Sequence, residues 1–212
     1  MKRRYFYIAS GLLSVFVFWT FLVRYVGVAP IGPDGSAVGL ASLNRAFHNL
    51  TGVNMALYTI TDWLGLVPIA IAVGFGVLGL MQWIIRKRLW NVDFSILVLG
   101  GFYIVTVAIY ILFEYVVINY RPVLIDGYLE VSYPSSTTML VMCVIPTAIL
   151  QLYRRIKHCV FRCGAIAVLV IFTAFMTIGR LLSGVHWLSD IIGGMLLSAG
   201  LVTMYYAVIK LK

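Results

Sequence analysis

Apolar residues come in long blocks along this chain, separated by short polar islands. Six blocks reach spanning length: about Tyr5 to Val28, Leu64 to Ile85, Phe94 to Ile118, Thr137 to Tyr153, Gly164 to Leu182 and Trp187 to Ile209. About twenty apolar residues in a helix cross the hydrocarbon of a bilayer, and a helix satisfies its own backbone N–H and C=O groups there. The pattern predicts an all-α, polytopic membrane protein: six transmembrane helices in a single domain over residues 1–212. The stretch between the first two blocks, to about Trp63, reads as a loop. It contains the turn signal IGPDG (Ile31 to Gly35) and then SLNRAFHNL, with Leu43, Phe47 and Leu50 at helical spacing. That spacing predicts a short amphipathic helix lying on the outer leaflet, with Arg45 and His48 as interfacial side chains. Gly74, Gly76, Gly79, Gly193 and Gly194 fit close helix packing, and Gly194 with Ser198 forms a pair of small residues four apart.

Composition agrees with the blocks. The chain is 62% hydrophobic and only 11% charged, with a mean hydropathy of +1.02. A soluble domain of this size has no interior large enough for so much apolar surface. The net charge of +9 would point to nucleic acid in a soluble protein, but its distribution points elsewhere. Lys2, Arg3, Arg4, Arg86, Lys87, Arg88, Arg154, Arg155, Lys157, Arg162, Lys210 and Lys212 fall on one side of the predicted membrane. Only Arg24, Arg45, Arg121 and Arg180 fall on the other. By the positive-inside rule the first side is cytoplasmic, both termini lie inside, and no nucleic-acid partner is implied. Asp34, Asp62, Asp126 and Glu130 lie in outer loops, and Glu114 and Asp190 near outer span ends, which leaves Asp93 as the inner acid. Cys143 falls inside a span and Cys159 and Cys163 follow an inner basic run, so free thiols are expected rather than a metal site. MKRR followed by a long apolar run, with no evident cleavage site, reads as an uncleaved first span.

Three polar islands then share the outer side: NYRP (Asn119 to Pro122), YPSSTT (Tyr133 to Thr138) and GRLLSGVHWLSD (Gly179 to Asp190). Ionisable residues at membrane depth are costly and mark function by default. Arg121 and Arg180 can clamp an anion with forked donors. Ser135 and Ser136 open the fourth span, where free backbone N–H groups and the helix dipole favour an anion. His186 and Asp190 stand at i and i+4, so the carboxylate can fix one imidazole tautomer and leave the other ring nitrogen as nucleophile or base. Each pair alone is as readily a structural hydrogen bond; three islands together point to phosphate chemistry.

The islands resemble the motifs of the type 2 phosphatidic acid phosphatase superfamily of membrane lipid phosphatases, KxxxxxxRP, PSGH and SRxxxxxHxxxD. The third is matched by Arg180, His186 and Asp190, with Gly179 for the leading serine. The second is matched by Pro134, Ser135, Ser136 and Thr137, and the first by Arg121 and Pro122. The resemblance implies an outward-facing active site in a bacterial cell membrane. There His186 attacks phosphorus to form a phosphohistidine, Asp190 orients it, and Arg121, Arg180 and the N–H groups at Ser135 and Ser136 hold the phosphoryl oxygens. It implies no metal and no cofactor, and a lipid phosphate as substrate: undecaprenyl pyrophosphate, phosphatidylglycerol phosphate or phosphatidic acid. Two positions depart from the pattern. Thr137 stands where the family has the histidine that protonates the leaving group, so catalysis is expected to be inactive or slow; a positioned general acid is worth roughly 10²- to 10⁴-fold. Glu114 stands where the family has lysine, and is read as a partner for an arginine or as a contact for a cationic or hydroxylated headgroup. A phosphotransferase and a non-catalytic lipid-phosphate binder or transporter are the competing readings.

Overall fold

The computed structural model describes residues 2–211, so Lys212, counted above with the inner basic residues, lies outside the described residues. Eight α-helices follow one another: α1 Lys2–Tyr25, α2 Ala41–Thr51, α3 Met55–Leu64, α4 Leu66–Arg86, α5 Phe94–Tyr115, α6 Ser136–Arg155, α7 Cys159–Leu182 and α8 Leu188–Ile209. A two-residue antiparallel pair, β1 (Ala29–Pro30) with β2 (Ala37–Val38), closes the turn after α1. Among the described residues, six helical stretches are long and apolar enough to cross a membrane, with α3 and α4 together counting as one. An even number of crossings brings Lys2 and Leu211 to the same end of the bundle, here called the basic end. The loops carrying the three polar islands gather at the other, the site end.

The second crossing is longer than its hydropathy suggested. Met55 to Trp63, expected as loop, is helical because Asn54 caps α3, its Oδ1 accepting from Leu57 N–H at 2.9 Å. Gly65 keeps helical dihedrals at the junction, so α3 leads into α4. Thirty-two residues exceed what a bilayer requires, and the excess, α3, stands over the site end. Conversely, the third crossing ends at Tyr115 rather than near Ile118, and α7 starts at Cys159, five residues before the apolar block.

The central helices are α6 and α8, which have the most buried spanning windows. α1 packs along α8 in the largest interface of the fold. Lipid offers no hydrophobic drive between helices, so close approach and hydrogen bonds carry the association. A Cβ on Gly193 would meet the Tyr133 ring at 2.7 Å, and one on Gly194 would lie 3.1 Å from the Ser135 carbonyl; Ser198 Oγ donates to the Met139 carbonyl at 3.2 Å. These small residues bring α8 against the start of α6. Gly74 and Gly76 instead face open space, so they serve no packing within the chain. The tyrosine at that junction is fixed in turn by α1, since Thr20 Oγ1 and the Tyr133 hydroxyl are 2.7 Å apart.

Two polar knots lock the ends. At the basic end Asp93 accepts from Gln82, Arg86 and Arg155, each at 2.9 Å, which ties α4 and α6 to the start of α5. At the site end Asn44 of α2 is fully buried and joined to Ser189, receiving its N–H at 3.1 Å and donating to its Oγ at 2.9 Å. The expected amphipathic helix therefore exists, with Leu43 and Leu50 exposed, but its polar face is pinned to the first turn of α8.

Candidate active site

His186 sits in the short turn between α7 and α8, and Arg121 in the loop after α5. Their loops meet: Arg121 Nη1 lies 3.1 Å from His186 Nε2. A guanidinium can only donate, so Nε2 is the unprotonated nitrogen, and the ring proton belongs on Nδ1. Nδ1 faces Asp190 Oδ2 at 3.7 Å, an electrostatic contact too long for a hydrogen bond, and has no hydrogen-bond partner among the described residues. The free lone pair is thus on the nitrogen beside Arg121. His186 is only 3% exposed. Burial first, and the Arg121 cation second, hold its pKa down to about 4, against the pull of Asp190 upward. The imidazole is neutral at pH 7.

Asp190 is held by its own surroundings before it meets the histidine. Its Oδ2 accepts from Trp187 N–H at 3.0 Å, capping α8, and its Oδ1 accepts from Asn119 Nδ2 at 3.2 Å and from Ser189 Oγ at 3.4 Å. Asn119 also receives Gly39 N–H at 3.2 Å, so the loop before α2, the loop after α5 and the start of α8 converge on this carboxylate.

A cavity of about 440 Å³ opens onto Arg121 and His186, with Glu114, Glu130 and Ser136 on its walls. Ser135 is buried behind it as the N-cap of α6, its Oγ accepting from Thr138 N–H at 3.5 Å, its own N–H donated to the Asp190 carbonyl at 3.1 Å. The N–H groups of Ser136 and Thr137, at the first two helical positions, have no intrahelical acceptor, and the positive end of α6 faces the cavity. Arg121 pairs with Glu130, Nε to Oε2 at 2.9 Å, although its N–H is not aimed at the oxygen. Glu114 lines the cavity, but the carboxylate that pairs with Arg121 is that of Glu130.

Arg180 is turned away from this cavity. Its Nη2 donates to Asp62 at 3.1 Å, its Nη1 to the Tyr58 carbonyl and Thr61 hydroxyl at 3.3 Å each, and its Cζ lies 4.7 Å from the Tyr58 ring centroid. Arg121 Cζ lies 6.0 Å from the same centroid. Both arginines therefore share the Tyr58 ring and are no more than about 11 Å apart. Thr137 lines a separate, mainly apolar groove of about 340 Å³ that runs between α4, α5 and α6. Tyr110, Ser136 and Met139 form the wall common to cavity and groove.

The sequence therefore led to Arg121, His186, Ser136, Glu114 and, behind them, Asp190 and Ser135. It placed Asp62 and Glu130 only as outer-loop acids and gave no sign of Tyr58 or Tyr110. Asp62 is 118 residues from Arg180, and no spacing rule links a loop acid to so distant a base. Tyr58 and Tyr110 lie within apolar runs where a tyrosine reads as interfacial packing.

The comparisons accord with this layout. The sequence profile described as the PAP2 superfamily matches residues 69–212, which include all three polar islands. No curated protein matches the chain. Among solved structures, a transmembrane PAP2-type phosphatidylglycerolphosphate phosphatase from Bacillus subtilis is similar in fold. It is 18% identical, with 95% of this chain and 96% of that one covered and a TM-score of 0.53. With the profile matching well over half its length, the chain belongs to the PAP2 superfamily.

Proposed function

We propose that this protein is a membrane lipid phosphatase that cleaves a lipid phosphomonoester or pyrophosphate through His186. The observation that carries the reading is the 3.1 Å contact between the unprotonated Nε2 of His186 and Arg121, at the edge of a cavity with room for a phosphorylated headgroup beside the α6 N-terminus. An arriving phosphate competes for the guanidinium and draws it off Nε2, which frees the nucleophile as the anion is bound. Arg121 and the N–H groups at the start of α6 hold the phosphoryl oxygens. As the ring gains charge, Asp190 closes from 3.7 Å to hydrogen-bond distance of Nδ1 and stabilises the cation. Arg180 adds positive potential from beside Tyr58 and anchors α3.

The adjoining apolar groove suits the lipid tail, so the headgroup phosphate and the first carbons of the chain meet at their common wall. Glu114 favours a headgroup that carries a cation or hydroxyls, among glycerolipid and polyprenyl candidates. Thr137 supplies no useful acid at neutral pH, which makes turnover slow. The basic-residue distribution supports a six-span unit in a bacterial cell membrane with both termini inside and the cavity facing outward. A non-catalytic binder is the second reading, favoured by the Arg121 contact that masks Nε2.

The test is phosphate release from phosphatidic acid, phosphatidylglycerol phosphate and undecaprenyl pyrophosphate in proteoliposomes. The phosphatase reading requires slow release from at least one lipid and none from His186→Ala. Tight lipid-phosphate binding with no release from any of them would instead establish the binder.

A further inference from the structure

We infer that Tyr110 is the proton donor to the leaving oxygen of a lipid phosphomonoester, a role that rests on the phosphatase reading above. The leaving oxygen joins phosphorus to the lipid, so it must lie where the polar cavity meets the apolar groove. That boundary is built by three residues, Tyr110, Ser136 and Met139. Only Tyr110 and Ser136 carry a hydroxyl. A phenol, with an ordinary pKa of about 10, is a far stronger acid than an alkyl hydroxyl.

The other candidates nearby are committed. Tyr133 also lines the cavity, but it is 1% exposed and its hydroxyl is held by Thr20 at 2.7 Å. Asp62 lines the groove, yet its carboxylate is already engaged by Arg180 at 3.1 Å. Tyr110 is 41% exposed; its hydroxyl is hydrogen-bonded to the Glu114 carboxylate one turn along α5, an exposed-side contact that a leaving oxygen can replace, and Arg121 and Glu130 are also near.

The step balances. As the bond from His186 Nε2 to phosphorus forms, the bond from phosphorus to the lipid oxygen breaks, and that oxygen takes the Tyr110 proton, leaving a phenolate. Water then attacks phosphorus, the phosphorus–nitrogen bond breaks, and the water proton returns to the phenolate as inorganic phosphate departs.

The experiment compares Tyr110→Phe with the unmodified full chain, in detergent or nanodiscs, on dodecyl phosphate and 4-dodecylphenyl phosphate. The tails match, but one leaving group is an alcohol and the other a phenol, which leaves as a stabilised phenolate and gains little from a donated proton. The proposal requires kcat on dodecyl phosphate to fall by about 10²-fold, with KM changed less than about threefold, and kcat on the aryl ester to fall less than about threefold. In a Thr137→His background the same Tyr110→Phe change should cost less than about tenfold. Equal loss on both esters would make Tyr110 a packing residue and overturn the proposal while leaving the phosphatase reading intact. Hydrolysis of neither ester by the unmodified chain would overturn that reading, and this proposal with it.

Discussion

Replacing Arg121 by Gln should raise the pKa of His186, and the geometry sets the size of the rise. The guanidinium nitrogen is 3.1 Å from Nε2, which puts the centre of its charge about 4 Å from the imidazole edge. At an effective dielectric of about 20, two like charges at that distance repel by about 4 kcal/mol, about three pKa units at 1.36 kcal/mol each. Glu130, paired with the same guanidinium at 2.9 Å, offsets part of this, leaving an expected rise of about one to two units. Burial, the larger cause of the depression, remains, so the value should climb from about 4 but stay below the ordinary 6.5. The chain has three histidines. Changing His48 and His158 to Gln leaves His186 alone to react with diethyl pyrocarbonate, which modifies neutral imidazole. The pH dependence of modification, read by mass spectrometry on the His186 peptide, gives the midpoint without requiring activity. An unchanged midpoint in Arg121→Gln would refute the electrostatic argument and with it the assigned tautomer.

Three further outcomes follow from the same geometry. In a Tyr110→Phe background, Thr137→His should raise turnover of lipid phosphates by roughly 10²- to 10⁴-fold, about 3–5 kcal/mol of barrier, with little change in affinity, measured as kcat and KM on phosphatidic acid. Because the folded pKa of His186 lies below the unfolded value of 6.5, the unfolded chain takes up the proton first; the stability this neutral ring contributes is complete above about pH 6.5 and is lost as pH falls to about 4. That loss amounts to about 3 kcal/mol, and thermal melts should show it in the parent and not in His186→Gln. For orientation, Tyr128 and Trp90 are exposed at opposite ends, so in intact cells a membrane-impermeant maleimide should label Tyr128→Cys, and Trp90→Cys only after permeabilisation; the reverse would invert the topology.

The bundle was legible because a spanning helix writes itself into the sequence as an apolar block of fixed length. Boundaries were less so, since they turn on caps: Asn54 extended a helix into a stretch that hydropathy alone reads as loop. At the candidate site, the residues that motif spacing and span ends singled out lie together: Arg121, His186, Asp190 and the α6 start. Arg180 was found as a residue, but its direction was not legible. It is 1% exposed and turned to Tyr58, Thr61 and Asp62, because α3 rises over the site end and offers carbonyl, hydroxyl and carboxylate partners there. Thr137 was assigned to the leaving-group side by resemblance alone; that it faces an apolar groove sharing a wall with the cavity depends on how α4, α5 and α6 pack, which no local pattern encodes.

The central claim is that His186 is the nucleophile, and trapping the covalent intermediate tests it most directly. The full chain is mixed with a lipid phosphate carrying labelled phosphorus, quenched in alkali on the timescale of one turnover, and digested. The account predicts an alkali-stable, acid-labile phosphoryl group on the peptide containing His186, absent from His186→Ala. Undiminished turnover by His186→Ala, or label on a peptide without His186, would contradict it.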